Sequence, residues 1–296
     1  MPRLVLKVDV DTLRGTREGV PRLLRLLEKE DAAATFLFSL GPDHTGWALR
    51  RVFRRGFLAK TRRTSVLKHY GLRTLLNGVL LPAPDIGLEM AAVMKSVQGA
   101  QLEAGIHAWD HVLWQDNVRH RDAAWTRTQM RRAYDRFVDI FGRRPATHGA
   151  AGWQTNAAAL LQIDAWGMRY ASDGRGAGPF VPRIDADTIG QHVQLPTTLP
   201  TLDELIGADD IDEGNVAAAL LARTETPADH VFTLHAELEG GRLESVLKAL
   251  LRGWRAQGYR FSTLAGLFEA LDRKALPVQQ IRWGRVPGRT GELYVA

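Results

Sequence analysis

R-L-V-L-K-V-D-V-D, residues 3–11, is an apolar run that closes on two acids. T-R-E-G-V-P-R-L-L-R-L-L-E-K-E, residues 16–30, then sets Val20, Leu23, Leu24 and Leu27 at helical spacing. A buried strand that feeds directly into an amphipathic helix is one β/α unit, and the unit recurs along the chain. Ala33–Leu40 reads as an apolar strand, Leu88–Ala100 as a helix leading into a short strand at Ala104–His107, and Trp125–Phe141 as a helix. Met168–Ser172 and His230–His235 read as strands, the second followed by a helix over Leu243–Gln257. Such alternation predicts an α/β fold with a parallel sheet covered by helices, and in a closed barrel the functional side chains gather at the C-terminal ends of the strands. Asp9, Asp11, His107, Asp173 and His235 all fall at such ends.

Hydrophobic residues make up 45% of the 296 and charged residues 24%, which excludes a mainly disordered or fibrous chain. No linker or low-complexity tract divides the sequence, so residues 1–296 are expected to form one domain, interrupted by an insertion at about 44–84. From Trp47 to Arg73 that insertion holds nine Lys or Arg and no acid, with Leu49, Val52, Phe53 and Phe57 at helix-like intervals. Lys7, Asp9 and Asp11 break the N-terminal apolar run before a signal peptide could develop, and no run reaches the ~20 apolar residues that cross a bilayer. A soluble or peripheral protein is therefore expected. The net charge of +6 favours an anionic partner: nucleic acid, an anionic membrane surface or a phosphorylated substrate. Nucleic acid is the weakest of these, because no helix-turn-helix, zinc-finger or RNA-binding signature is present and the acids and histidines would have no task.

There is no cysteine, so a metal must be held by His, Asp or Glu. Asp9 and Asp11, two apart on a strand, project from one face. Two like charges at one site need a cation between them or a proton on one of them, unless both simply face solvent. His107 and His111, in H-A-W-D-H, would share one side of a helical turn, a common arrangement for chelating a divalent ion, although the spacing also occurs on ordinary helix faces. Asp11, His107 and His111 together make three ligands with a position left for water, which is the composition of a catalytic site. Zinc suits two imidazoles and a carboxylate best, and cobalt or manganese also fits. Amide hydrolysis needs a base to activate water and an acid for the leaving nitrogen, and Asp9 and His235 are the candidates. His235 could otherwise be a hydrogen-bonded histidine at a barrel rim.

D-V-D (Asp9–Asp11), H-A-W-D-H (His107–His111), S-D (Ser172–Asp173) and T-L-H (Thr233–His235) stand in the order of the polysaccharide deacetylase motifs. The chain resembles that family, also called the NodB homology family, over nearly its whole length. The resemblance implies a distorted (β/α)7 barrel, with Asp9 as the base, Asp11, His107 and His111 on one divalent metal ion, and His235 as the general acid. By the same resemblance Asp173 orients or charges His235. The family's third motif normally sets an arginine beside the catalytic Asp, but here that stretch reads H-G-A-A-G-W, His148–Trp153. Arg14 and Arg175 are the candidates to replace it or to meet substrate. The loop of Gly149, Ala150, Ala151, Gly152 and Trp153 offers backbone N–H groups to an oxyanion.

Longer strings narrow the resemblance. Asp11–Leu24, Gly105–His111, Ala150–Trp153, Tyr170–Gly176 and Leu234–Gly240 resemble a branch of the family that deformylates undecaprenyl-phosphate-linked 4-deoxy-4-formamido-L-arabinose. The branch implies a lipid-linked amino-sugar substrate, a peripheral place at the cytoplasmic face of the bacterial inner membrane, and a role in lipid A modification and polymyxin resistance. A deacetylase of another amino sugar is the alternative. A membrane-bound substrate gives the basic insertion a purpose, with Trp47, Arg50, Arg51, Phe53, Arg54, Arg55 and Phe57 as candidate membrane contacts. A solvated helix face packed on the barrel would account for the same pattern.

Overall fold

The computed structural model describes residues 1–47, 76–99 and 101–296, so Arg50, Arg51, Phe53, Arg54, Arg55 and Phe57 lie outside the described residues. The first strand, β1 (Arg3–Val10), is central. It pairs in parallel with β2 (Ala34–Ser39) and with the strand His230–His235, and β2 pairs in turn with β3 (Leu102–Ala108). His230–His235 occupies one edge of β1 along Leu4–Asp9, so the other edge is shared: Arg260–Ser262 takes Arg3–Val5 and β2 takes Lys7–Val10.

Beyond β3 the circuit continues through stretches too short to form long ladders. Gly149 N donates to Ile106 O, Ser172 N to His148 O, Leu195 N to Ala171 O and Thr198 N to Val231 O. Counting β1, β2, β3 and the stretches 147–149, 170–172, 193–198 and 230–235 gives seven staves, the expected (β/α)7 barrel in irregular form. Helices Val20–Lys29, Ala123–Phe141 and Ala157–Ala165 lie between staves in the chain, and Glu244–Ala256 follows the last of them. Two expectations are trimmed. Only Tyr170–Ala171 of Met168–Ser172 is regular strand, and Leu88–Ala100 becomes two short helices, Ile86–Glu89 and Ala91–Lys95, separated at Met90, whose ψ of 13° lies outside the helical range.

Alternation along β1 sorts its side chains into two environments. Leu4, Leu6, Val8 and Val10 point outward into a large apolar cluster with Leu23, Leu27, Leu250 and Trp254 of the covering helices. Val5 instead joins Tyr170, Val193, Val231 and Phe268 in a second cluster that plugs one end of the barrel, with helix Leu264–Glu269 as the stopper. Thr35 Oγ1 and Tyr170 Oη both donate to the buried Glu103 carboxylate, at 2.7 and 2.5 Å, and Leu264 N donates to Thr35 Oγ1. Every polar group named there has a partner, as burial requires. Lys7 and Asp9 follow Val5 on the same face, and this polar inner face opens at the strands' C-terminal ends.

Candidate metal centre and active site

Lys7, Asp9 and Asp11 occupy successive inward positions of β1 and its exit, and all three are buried. Lys7 Nζ lies 3.1 Å from Asp9 Oδ2, with both side chains almost wholly out of water. Asp9 Oδ1 is buried without a hydrogen-bond partner and faces the imidazole of His107, whose Nδ1 is 3.9 Å away. Arg14 is exposed and pairs with Glu18, while Arg175 pairs with Glu204 at 2.6 Å. The cation beside Asp9 is therefore Lys7 and neither of the expected arginines. Its signal was the alternation K-V-D-V-D, which places a lysine on the same face as the two acids.

Asp11 meets both histidines of H-A-W-D-H: its Oδ1 is 3.2 Å from His107 Nε2 and its Oδ2 is 3.5 Å from His111 Nε2. Ligand atoms of these three residues all lie within 4.8 Å of one another. The two histidines do not share a helical turn, which corrects the spacing argument. His107 sits near the end of β3 and His111 opens the helix His111–Asn117, so the corner between strand and helix brings the rings together, 5.3 Å apart. Asp110 caps that helix by accepting from Leu113 N, and its other oxygen holds His44 Nδ1 at 2.6 Å. His107 Nδ1 donates to Gly149 O at 2.7 Å, which leaves Nε2 as the lone pair turned toward Asp11. Burial opposes the charge of Asp11, but His111 and His107 outweigh it and hold the carboxyl well below its usual range. Burial likewise works against a charged His107, while Asp9 and Asp11 raise it above the ordinary histidine value. A tight cluster of donors with an unpaired buried oxygen, Asp11 Oδ1, fits a divalent cation.

His235 closes its strand beside Asp9, its register partner on β1. Its Nδ1 is buried and unpartnered, and its ring stands edge-on to Trp153 with centroids 6.4 Å apart. Burial would lower its pKa, yet the carboxylates of Asp203, Asp11 and Glu239 raise it overall. Two further acids follow it in the chain. Glu237 Oε1 accepts from Asp11 N, Thr12 N and Thr12 Oγ1, fixing the turn that carries Asp11, and burial together with the Asp11 charge pushes its carboxyl up to about 8. Glu239 accepts from His235 N at 2.8 Å, and burial raises it to about 7. The string L-H-A-E-L-E-G contained both acids, but nothing in it showed that they turn back toward the histidine.

Asp173 differs from its expected role. Its Oδ1 accepts from His148 Nδ1 at 2.6 Å and from Ala150 N at 2.9 Å, and its Oδ2 accepts from Gln194 at 2.7 Å; the charges that face His235 come from elsewhere. Asp173 thus fixes the 148–150 loop, whose Gly149 carbonyl orients His107. His148, the first residue of H-G-A-A-G-W, occupies the Asp173 carboxylate. The loop is tightly folded: a Cβ on Gly149 would lie 2.2 Å from Leu37, and Gly152 and Trp153 both have positive φ. Its N–H groups at Gly149, Ala150 and Trp153 bond to Ile106 O, Asp173 and Ala150 O, so those three do not serve an oxyanion. Trp153 is buried under the cations of Lys7, Arg175 and Arg289, the last from the C-terminal arm, where it also pairs with Asp203 and Glu204. Trp47 donates its indole N–H to Gly78 O and stacks on His44.

No family model matches the chain. The chain is 35% identical over 290 residues to the "Probable 4-deoxy-4-formamido-L-arabinose-phosphoundecaprenol deformylase ArnD" of Shewanella sediminis, covering 97% of this chain and 92% of that one. Among solved structures, one from Mycobacterium smegmatis described as a polysaccharide deacetylase superposes with a TM-score of 0.64 at 14% identity, over 97% of this chain and 96% of that one. A family 4 acetyl xylan esterase from Clostridium thermocellum, in complex with a cobalt ion, gives 0.52 at 15% identity, over 90% and 91%. These two likenesses establish the fold as the polysaccharide deacetylase barrel.

Proposed function

The chain belongs to the ArnD family of deformylases, and from that premise we propose that it hydrolyses the formamide of 4-deoxy-4-formamido-L-arabinose carried on undecaprenyl phosphate, releasing formate and the free amine. The observation that carries the reading is the convergence of Asp9 Oδ1 and His235 Nδ1, both buried without hydrogen-bond partners, on the cluster of Asp11, His107 and His111. Orphaned polar atoms at this density are costly in a folded core and are retained where a ligand completes them. Asp11, His107 and His111 would hold one divalent ion; zinc suits the donors, and the cobalt ion of the Clostridium esterase is compatible with them. Such an ion supplies Lewis-acid polarisation of the formyl oxygen and lowers the pKa of water.

The protein's own groups handle the protons. Lys7 holds Asp9 Oδ2, which leaves Oδ1 to accept the proton of the attacking water. His235, kept above its ordinary pKa chiefly by Asp203 against the cost of burial, gives its proton to the nitrogen as the carbon–nitrogen bond breaks. Asp173, through His148 and Ala150, keeps the Gly149 carbonyl on His107. We place the enzyme peripherally at the membrane that holds its lipid-linked substrate; among the described residues no helix is long and apolar enough to cross one. The test is mass spectrometry of the lipid-linked formamido sugar incubated with metal-loaded enzyme. Loss of one formyl group is expected, with Asp9→Asn and His235→Ala each slower by ~10² to 10⁴-fold while still binding metal. An unchanged substrate, or an acetamido sugar processed faster, would reject the deformylase reading in favour of another amide hydrolysis.

A further inference from the structure

Val79, Leu80 and Leu81 are consecutive and 44%, 76% and 39% exposed, in an uncharged stretch, N-G-V-L-L-P-A-P, residues 77–84. Scattered exposed leucines are ordinary on a protein surface, but three in a row at the tip of a turn are not. The backbone at this tip is also unusually self-sufficient. Gly78 N donates to Leu81 O, and Val79 N, Leu80 N and Leu81 N all donate to Leu76 O, at 2.8 to 3.1 Å. Pro82 follows and has no N–H to satisfy. Every N–H from residue 78 to residue 82 is thus either bonded inside the turn or absent, which removes the donor half of the cost of moving this backbone out of water.

The turn sits at the mouth of the barrel. Asn77 Nδ2 donates to Asp43 Oδ2, which also accepts from Leu13 N, two residues after Asp11. Trp47 Nε1 holds Gly78 O, and the indole stacks at 3.8 Å on His44, whose Nδ1 is bonded to the Asp110 that caps the helix begun by His111. An unbroken set of bonded groups therefore links the apolar tip to two of the proposed metal ligands. The sequence between Trp47 and Leu76, two residues that both contact this turn, carries nine Lys or Arg without an acid as far as Arg73. A basic stretch joined in sequence to an apolar tip is the composition that suits an anionic headgroup layer over hydrocarbon.

We propose that the turn Gly78–Leu81 enters an anionic lipid surface and sets the barrel mouth against the bilayer, with Leu80 deepest. This rests on the reading that the substrate is lipid-linked. The test uses the full chain and two variants, Leu80→Asp and Leu80→Trp, with phosphatidylcholine vesicles with and without phosphatidylglycerol. Flotation should show Leu80→Asp binding the anionic vesicles at least about tenfold more weakly, since removing one leucine side chain from hydrocarbon costs that much or more. The added fluorescence of Leu80→Trp should shift to the blue on those vesicles and be quenched by lipids brominated in their acyl chains. Wild-type flotation by Leu80→Asp, or an unquenched Leu80→Trp, would overturn the proposal. Sedimentation showing that Leu80→Asp splits a dimer would also overturn it and assign the turn to a second copy of the chain. Release of formate from a water-soluble formamido pentose, which Leu80→Asp should leave unchanged, separates this proposal from the deformylase reading: absence of that release in the wild type would sink the chemistry and leave the vesicle result standing.

Discussion

Lys7 is the side chain on which the inner face of β1 most depends. Its buried side chain is held by Asp9 Oδ2, 3.1 Å away, and by the face of Trp153. Lys7→Met keeps the length and removes the charge, leaving the buried Asp9 Oδ2 without its cation. Urea denaturation should show a loss of ~3 to 5 kcal/mol, the usual cost of orphaning a buried charge, and a loss near zero would mean that water replaces the ammonium. His235 is the second sensitive point. Because Asp203 is the foremost carboxylate raising its pKa, Asp203→Asn should lower it. The protonated form that donates to nitrogen then disappears at a lower pH, so the alkaline limb of kcat/KM should move toward lower pH, with the acid limb in place. The opposite movement, or none, would remove Asp203 from the control of the acid.

At the level of elements, the strand exits are fixed by close approach. The π-helical turn Gly15–Gly19 packs on the corner after His235: a Cβ on Gly19 would lie 2.0 Å from Ala236 O, and one on Gly240 would lie 2.7 Å from Gly19 Cα. The first and last motifs of the sequence are therefore pressed together through two glycines, which holds Asp11 and His235 at one mouth. Gly240→Ala should cost ~1 to 3 kcal/mol in stability as the backbones separate, measured as a drop in Tm, and should slow turnover as well. The same corner buries Glu239, raised to about 7. A carboxyl that stays protonated in the fold while the unfolded chain ionises makes stability fall as pH rises from about 4.5 to about 7. Glu239→Gln removes this dependence, so denaturation of the variant relative to wild type should become steadily more favourable to the variant across that window. A difference that does not vary with pH would show that Glu239 is already ionised in the folded protein.

For the whole molecule, the charge of +6 is unevenly placed along the chain, with nine cations between Trp47 and Arg73. If these meet anionic lipid, each contributes about 1 kcal/mol near the surface, and replacing Arg50, Arg51, Arg54 and Arg55 with Gln should release most of the protein from anionic vesicles. Raising salt should weaken the wild type in the same direction, because the screening length falls from ~10 Å at 0.1 M to ~3 Å at 1 M. Binding indifferent to both changes would return the segment to an ordinary solvated face.

The order of β/α units, the acids at the end of β1, the histidines of H-A-W-D-H and the terminal His235 were legible in the sequence, because periodicity and strand-end position are local properties that survive without coordinates. The seven staves were legible only through family resemblance, since two of them, 147–149 and 193–198, are too short to announce themselves by pattern. Partnership was legible only in part: alternation set Lys7 on the face of Asp9, and residue type grouped Asp11 with His107 and His111. That Asp173 turns to His148, and that Glu237, Glu239 and Asp203 surround the site, depends on which staves become neighbours. Neighbours in a closed barrel are set by the packing of the whole circuit. A residue's type and place in its strand say which face it occupies, and only closure of the barrel decides which charge it meets across that face.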